Sequence, residues 1–239
     1  MLQAGRSGSR LMRQLLFFDL DDTLIDHRGA EHGAHRETFE THANLFGSVP
    51  FAEWLARYRE SNTALWDALG RREIGREDLL RRRFSEPLRA LELDEARCDE
   101  LSGFYLEAYA RHWRLVEGAE AILEEAARHG TVGILSNGLS HLQRAKVKKF
   151  ALERFVEHVV LSEDVGAMKP AREIFDAAWR AAASGAPVRK VYVGDSFQHD
   201  VLGAKRAGWL PILYNPEARP LPMPVLFVTR LADLAPLLQ

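Results

Sequence analysis

Short apolar runs that each end on a polar residue recur along this chain, and helical stretches separate them. Residues 15–18 end at Asp19, 131–135 at Ser136, 158–161 at Ser162-Glu163-Asp164, 191–193 at Gly194-Asp195, and 210–214 at Asn215-Pro216. Each run is short, apolar throughout and bounded by turn residues, as a parallel strand buried on both faces should be. The segments 119–129, 139–150, 172–183 and 200–207 are amphipathic. Strands alternating with helices predict an α/β fold, a doubly wound parallel sheet of about five to six strands. Four prolines between 216 and 224 read as an irregular connection, followed by a last strand at 225–228 and a closing helix.

The rhythm breaks between Asp26 and about Trp113. Apolar positions there fall at helical spacing, as in Phe51, Trp54, Leu55 and Tyr58, then Leu101, Phe104, Tyr105 and Ala108. A block of helices inserted after the first strand reads as a separate cap. The expected division is a core of 15–26 with 113–239, a helical cap of 27–112 and a flexible tail of 1–14, with Met12 an alternative start.

Composition is that of a folded globular chain, 46% hydrophobic and 28% charged. A net charge of −2 argues against nucleic-acid binding. Arg71-Arg72 and Arg81-Arg82-Arg83 are interleaved with Glu73, Glu77, Asp78 and Glu86, and read as a solvated helix face. Cys98 is the one cysteine, which excludes an intrachain disulfide and suits a reducing compartment. The first residues lack the apolar stretch of a signal peptide, and no run approaches the roughly 18 residues that span a bilayer. The expectation is a cytoplasmic protein with no membrane or nucleic-acid partner.

Ligands of open α/β sheets bind at the carboxyl ends of the strands, so the polar residues there are the candidates. They are Asp19, Asp21 and Thr23 after the first strand, Ser136 and Asn137 after the second, and Asp195 and Asp200 after the fourth. Adjacent carboxylates at the end of an apolar strand are costly unless a cation neutralises them. Mg2+, with one or two carboxylates, waters and a substrate phosphate, answers that need. Lys169 adds a positive charge, and Ser136 with the following amide offers donors to a phosphoryl oxygen. Gly194 permits close backbone approach.

The sequences DLDDTL at 19–24, SNG at 136–138, KP at 169–170 and GDSFQHD at 194–200 resemble the four motifs of the haloacid dehalogenase (HAD) superfamily of phosphohydrolases, in order and across nearly the whole core. The helical insertion resembles that superfamily's C1-type cap. NTALWDAL at 62–69, RRRF at 81–84, SNGLSHLQ at 136–143 and SEDVGAMKPAREIF at 162–175 resemble the branch of house-cleaning pyrimidine 5′-nucleotidases.

The resemblance implies Asp19 as nucleophile, forming a phospho-aspartate, and Asp21 as general acid and base. It implies Mg2+ held by the side chains of Asp19 and Asp195 and the backbone carbonyl of Asp21. Ser136, the Asn137 amide and Lys169 bind the remaining phosphoryl oxygens. Thr23 is expected to orient the Asp19 loop by hydrogen bonding. Asp200 could reach the ion through water, orient Lys169 or start a helix, with a supporting role favoured. The substrate expected is a small phosphorylated metabolite, a nucleoside monophosphate first, then phosphoglycolate or sugar phosphates. Asn62 and Trp66, one turn apart in the cap, could meet a nucleobase, although packing is the ordinary role of such a Trp.

Plainer readings compete at each position. Asp19 and Asp21 could form an ordinary turn, Ser136 could cap the next helix, and Lys169 alone would be a surface lysine. His32, His35 and His42 fall within one predicted helix, where solvent-facing side chains are expected over a zinc site. A haloacid dehalogenase would need neither Asp21 nor Asp195, and a phosphomutase would keep every core motif. A monomer or homodimer is expected.

Overall fold

In a computed structural model of the protein, residues 14–182 and 188–238 are described. The expected tail, its start site and Ala183 lie outside them, apart from Gln14. The chain forms two compact units, one running to Leu24 and resuming at Leu115, the other Ile25–Arg114.

The first unit is built on six parallel strands: β1 (Gln14–Phe18), β2 (Gly130–Ser136), β3 (His158–Leu161), β4 (Arg189–Gly194), β5 (Leu210–Tyr214) and β6 (Phe227–Val228). Their order in space is β3-β2-β1-β4-β5-β6, so β1 lies centrally with β2 and β4 beside it. All five residues of β1 are buried, which explains its lack of alternation. Leu15 and Phe17 enter one core layer with Phe175, Ala178, Tyr192 and Trp209. Side-chain alternation sends Leu16 and Phe18, both fully buried, to the opposite face. The register pairs Phe18 with Ile134 of β2 and with Val193 of β4. Asp19 therefore leaves the sheet level with the ends of both neighbours.

Three elements differ from expectation. β6 covers Phe227–Val228 and not 225–228: ahead of it, Leu226 meets β5 through its carbonyl, which accepts the Leu213 amide at 2.9 Å, and the ladder proper starts one residue later. The helix expected at 200–207 begins as a π-helical turn at Phe197–Val201 and becomes α-helical only over Leu202–Arg206. The closing helix is of the tighter 3-10 kind, with Pro236 inside it.

The second unit holds the helices His27–Thr41, Phe51–Gly70, Arg76–Ala90 and Cys98–His112. Its interior corrects two readings. His35 is fully buried and not solvent-facing. Its ring lies 3.9 Å from that of Tyr58 and 4.5 Å from that of Tyr105, with Trp54 and Phe84 also against it. Arg83 is 6% exposed, so only Arg81 and Arg82 of the triplet face water. Both corrections have one cause: rings from facing helices lie against these positions, Tyr105 against Arg83 and Trp54, Tyr58, Phe84 and Tyr105 against His35, and charge interleaving along one helix cannot report that. No helix among the described residues is long and apolar enough to cross a membrane.

Candidate active site

The site residues of the first unit gather where β1, β2 and β4 end. Asp19 is held by its amide, which donates to the Val193 carbonyl at 2.8 Å, and by its Oδ1, which accepts the Leu20 amide at 2.8 Å. The turn that follows is tight. Asp22 takes a left-handed φ of 57°, which Asp tolerates better than most residues, and the Leu24 amide closes onto the Leu20 carbonyl at 2.9 Å. Thr23 Oγ1 is enclosed and has no hydrogen-bond partner among the described residues, so the bond expected of it is not made. Backbone bonds hold the loop in its place.

Lys169 is 4% exposed and spends its three N–H groups on three acceptors. Its Nζ lies 2.8 Å from Asp19 Oδ1, 2.7 Å from Asp200 Oδ1 and 2.9 Å from Tyr192 Oη. Tyr192 in turn donates to the Leu135 carbonyl at 2.8 Å. The segment carrying Lys169 is fixed to the end of β2 by Asn137. That side chain accepts the Lys169 amide at 2.8 Å and donates to the Lys169 carbonyl at 3.0 Å. Asn137 thus has a side-chain function beyond the amide expected of it.

Burial dominates the electrostatics. It pushes the Asp19 carboxyl up to about 7, against the pull of the Lys169 ammonium. Burial alone would lower Lys169, but Asp19 and Asp200 outweigh it and hold the ammonium above its ordinary range. Oxygens of Asp19, Asp195 and Asp200 lie within 4.8 Å of one another. Asp200 commits both of its own, Oδ1 to Lys169 and Oδ2 to the Ser196 amide at 2.8 Å, which suits support better than direct ligation. Asp19, Asp21, Asp195 and Asp200 bring four carboxylates to a site where Lys146 and Lys169 supply two ammonium groups. That excess of negative charge, with hard oxygen donors, fits a divalent cation such as Mg2+.

Ser136 is 1% exposed and does not cap the helix that follows it. The first turn of that Ser140–Lys149 helix is instead held from the segment after β3, where Glu163 accepts the Ser140 amide at 2.6 Å. Two partners of the site escaped the sequence reading. Gln143 and Lys146, both on that helix, reach the Asp21 carboxylate at 2.8 and 2.6 Å. Within the amphipathic 139–150 segment nothing set them apart, since their partner lies more than 120 residues earlier. Asn62 and Trp66 belong to the other unit, where both are half-buried and Asn62 Oδ1 has no partner among the described residues.

Comparison with known proteins agrees with this geometry. The haloacid dehalogenase-like hydrolase profile matches residues 14–208. The chain is 28% identical to the HAD-hydrolase YfnB of Bacillus subtilis, over 86% of this chain and 85% of that one. It is 29% identical to the pyrimidine 5′-nucleotidase YjjG of Escherichia coli, over 93% and 96%. It is 32% identical to a phosphoserine phosphatase of Thermus thermophilus, over 87% and 90%. The crystal structure of YfnB bound to magnesium superposes with a TM-score of 0.79 at 27% identity, covering 95% of this chain and 99% of that one. A parallel sheet with its acidic cluster at the end of β1, a helical insertion after that strand and a profile match across most of the chain make one assignment: the protein belongs to the haloacid dehalogenase-like hydrolases.

Proposed function

We propose that the chain is a Mg2+-dependent phosphatase that hydrolyses small phosphate monoesters, with a pyrimidine nucleoside 5′-monophosphate as the leading substrate. The observation that carries the reading is the buried contact of Lys169 with both Asp19 and Asp200, beside Asp195. A carboxylate kept out of water, neutralised on one side and able to approach a phosphoryl group is a nucleophile's environment.

In the proposed reaction an oxygen of Asp19 bonds to phosphorus as the bond to the leaving oxygen breaks. Asp21 gives its proton to that oxygen, releasing the alcohol. Asp21 then takes a proton from water, whose oxygen attacks the same phosphorus and breaks the bond to Asp19. Ser136, the Asn137 amide and Lys169 offset charge on the remaining oxygens. In this reading Mg2+ would be held by the side chains of Asp19 and Asp195 and by the Asp21 carbonyl. When bound, the ion supplies charge neutralisation and orients the phosphoryl group.

The nucleotidase reading draws on YjjG, similar over nearly its whole length, and on the cap, where Asn62 and Trp66 are the proposed base contacts. Similarity to a phosphoserine phosphatase supports a second reading, in which a small phosphorylated metabolite other than a nucleotide is the substrate. Asp21 and Asp195 count against a haloacid dehalogenase. The test is turnover of purified protein on nucleoside monophosphates, phosphoserine, phosphoglycolate and sugar phosphates, with EDTA and with Mg2+. The reading expects loss of activity in EDTA, recovery with Mg2+ and the highest kcat/KM for pyrimidine nucleotides. Full turnover without metal would reject the metal dependence. A clear preference for another ester would move the substrate assignment alone.

A further inference from the structure

The Asp21 carboxylate is gripped by one helix through both of its oxygens. Gln143 Nε2 donates to Oδ2 at 2.8 Å, and Lys146 Nζ donates to Oδ1 at 2.6 Å. The two residues stand three apart on the Ser140–Lys149 helix and so share a face. Each is 2% exposed. A fully buried lysine is rare unless it is paired, and here its acidic partner is the residue proposed to move protons.

Gln143 does more than hold Asp21. The same nitrogen lies 2.9 Å from Ser136 Oγ and 3.1 Å from the Asn137 carbonyl. An amide nitrogen carries two hydrogens, so Gln143 can serve Asp21 and one acceptor at the end of β2 together. When it donates to Ser136 Oγ, the serine's own hydrogen is released toward a third group. In the structure that group is the Asn137 carbonyl, at 3.1 Å. A phosphoryl oxygen could take its place. Room for the amide comes from Gly138, where φ is +146° and a Cβ would lie 2.8 Å from Gln143 Nε2. The glycine of SNG therefore keeps space for a side chain five residues on.

We infer that Gln143 and Lys146 are positioning residues, which lock the acid/base carboxylate of Asp21 in register with the phosphate-binding hydroxyl of Ser136. The inference rests on the acid/base role proposed for Asp21. Proton transfer requires heavy atoms within roughly 2.6–3.2 Å, and misplacement by about 1 Å can cost about 100-fold. Loss of these donors removes a hold on each of the two carboxylate oxygens of Asp21.

The test is a double-mutant cycle on the full chain with saturating Mg2+ and a phosphate monoester of an alkyl alcohol. Lys146→Met should lower kcat about 10- to 100-fold while KM stays within about 3-fold, and Lys146→Arg should restore most of the loss. In an Asp21→Asn background, Lys146→Met should cost little more, because its action passes through that carboxylate. Gln143→Leu should lower kcat similarly and also raise KM, through Ser136. It keeps the inference testable if Lys146→Met fails to fold, as read by circular dichroism. Unchanged kcat in both Lys146→Met and Gln143→Leu would overturn the inference. Full additivity with Asp21→Asn would overturn it too, by showing an effect independent of that residue. If Asp21→Asn itself left turnover intact, the acid/base reading would fail first and take this inference with it.

Discussion

A Cβ at Gly194 would lie 2.4 Å from the carboxyl carbon of Asp200. The glycine is therefore needed for space and not for backbone freedom, since its φ is outside the left-handed region. The room it leaves is filled by the carboxylate that anchors Lys169. Gly194→Ala should displace Asp200, strip one of three acceptors from the ammonium and let Lys169 drift from Asp19. The expected result is a fall in kcat of about 10- to 100-fold with a stability loss of about 1–3 kcal/mol for the overpacking. Steady-state kinetics and urea unfolding read both. Wild-type kcat in a folded variant would show that Asp200 does not hold Lys169 in its working position.

How far the site could be read from the chain follows from where each residue's burial comes from. Asp19, Ser136 and Asp195 stand where a buried run ends, so strand periodicity and turn residues were enough to mark them. Lys169 needed its position between two motifs. Gln143 and Lys146 gave no local signal, because only the return of their helix over the first loop brings them to Asp21. Arg83 and His35 are buried for a related reason: rings from other helices lie against them, Tyr105 in both cases. The last strand is shorter than its apolar run, because apolar residues alone do not report which backbone groups find a partner in the sheet.

His35 makes the cap's stability depend on pH. Burial first, then the charges of Arg83 and Arg59, holds its imidazole well below the usual histidine range, so it stays neutral in the folded protein. In the unfolded chain it protonates near pH 6.5. Below that pH the unfolded state binds one proton more, and stability falls as pH falls, by up to about 1.4 kcal/mol per pH unit. Above it, this contribution is fully present. His35→Phe keeps an aromatic ring in the cage and removes the titration. Urea midpoints at pH 7.5 and 5.5 should diverge more for wild type than for the variant. Equal shifts in both would show that His35 does not titrate in the unfolding reaction.

Arg83 sets two buried, unsatisfied donors against two ring contacts. Its Nε and Nη2 are buried with no hydrogen-bond partner among the described residues, and its guanidinium carbon stands 5.6 and 5.7 Å from the rings of Phe84 and Tyr105. Ring contacts of this kind contribute about 0.5–2 kcal/mol. Each buried unsatisfied polar group costs about 1–3 kcal/mol, and Arg83 has two such atoms. Arg83→Met, similar in length and uncharged, should therefore raise stability by about 1 kcal/mol or more, seen as a higher urea midpoint at pH 7.5. A lower midpoint would show that the ring contacts outweigh the missing acceptors.

The two aspartates of the first loop, two residues apart, should separate cleanly by what each offers the ion. Asp19 is proposed to supply a side-chain oxygen both to phosphorus and to Mg2+, in a site where burial already raises its carboxyl to about 7. Asp19→Asn should abolish turnover and weaken Mg2+ binding together. Asp21 is proposed to offer the ion only its backbone carbonyl, while its side chain is taken by Gln143 and Lys146. Asp21→Asn preserves that carbonyl, so Mg2+ affinity should stay near wild type while kcat falls by about 10²–10⁴, the usual contribution of a general acid or base. With p-nitrophenyl phosphate the leaving group needs little protonation, so the first step should suffer less than the second. Phospho-Asp19 should then accumulate and be trapped by rapid quench. Calorimetry with Mg2+ gives the affinities without relying on activity. Equal loss of Mg2+ affinity in both variants would reverse the division of roles, and unchanged turnover in Asp21→Asn would remove that residue from the chemistry.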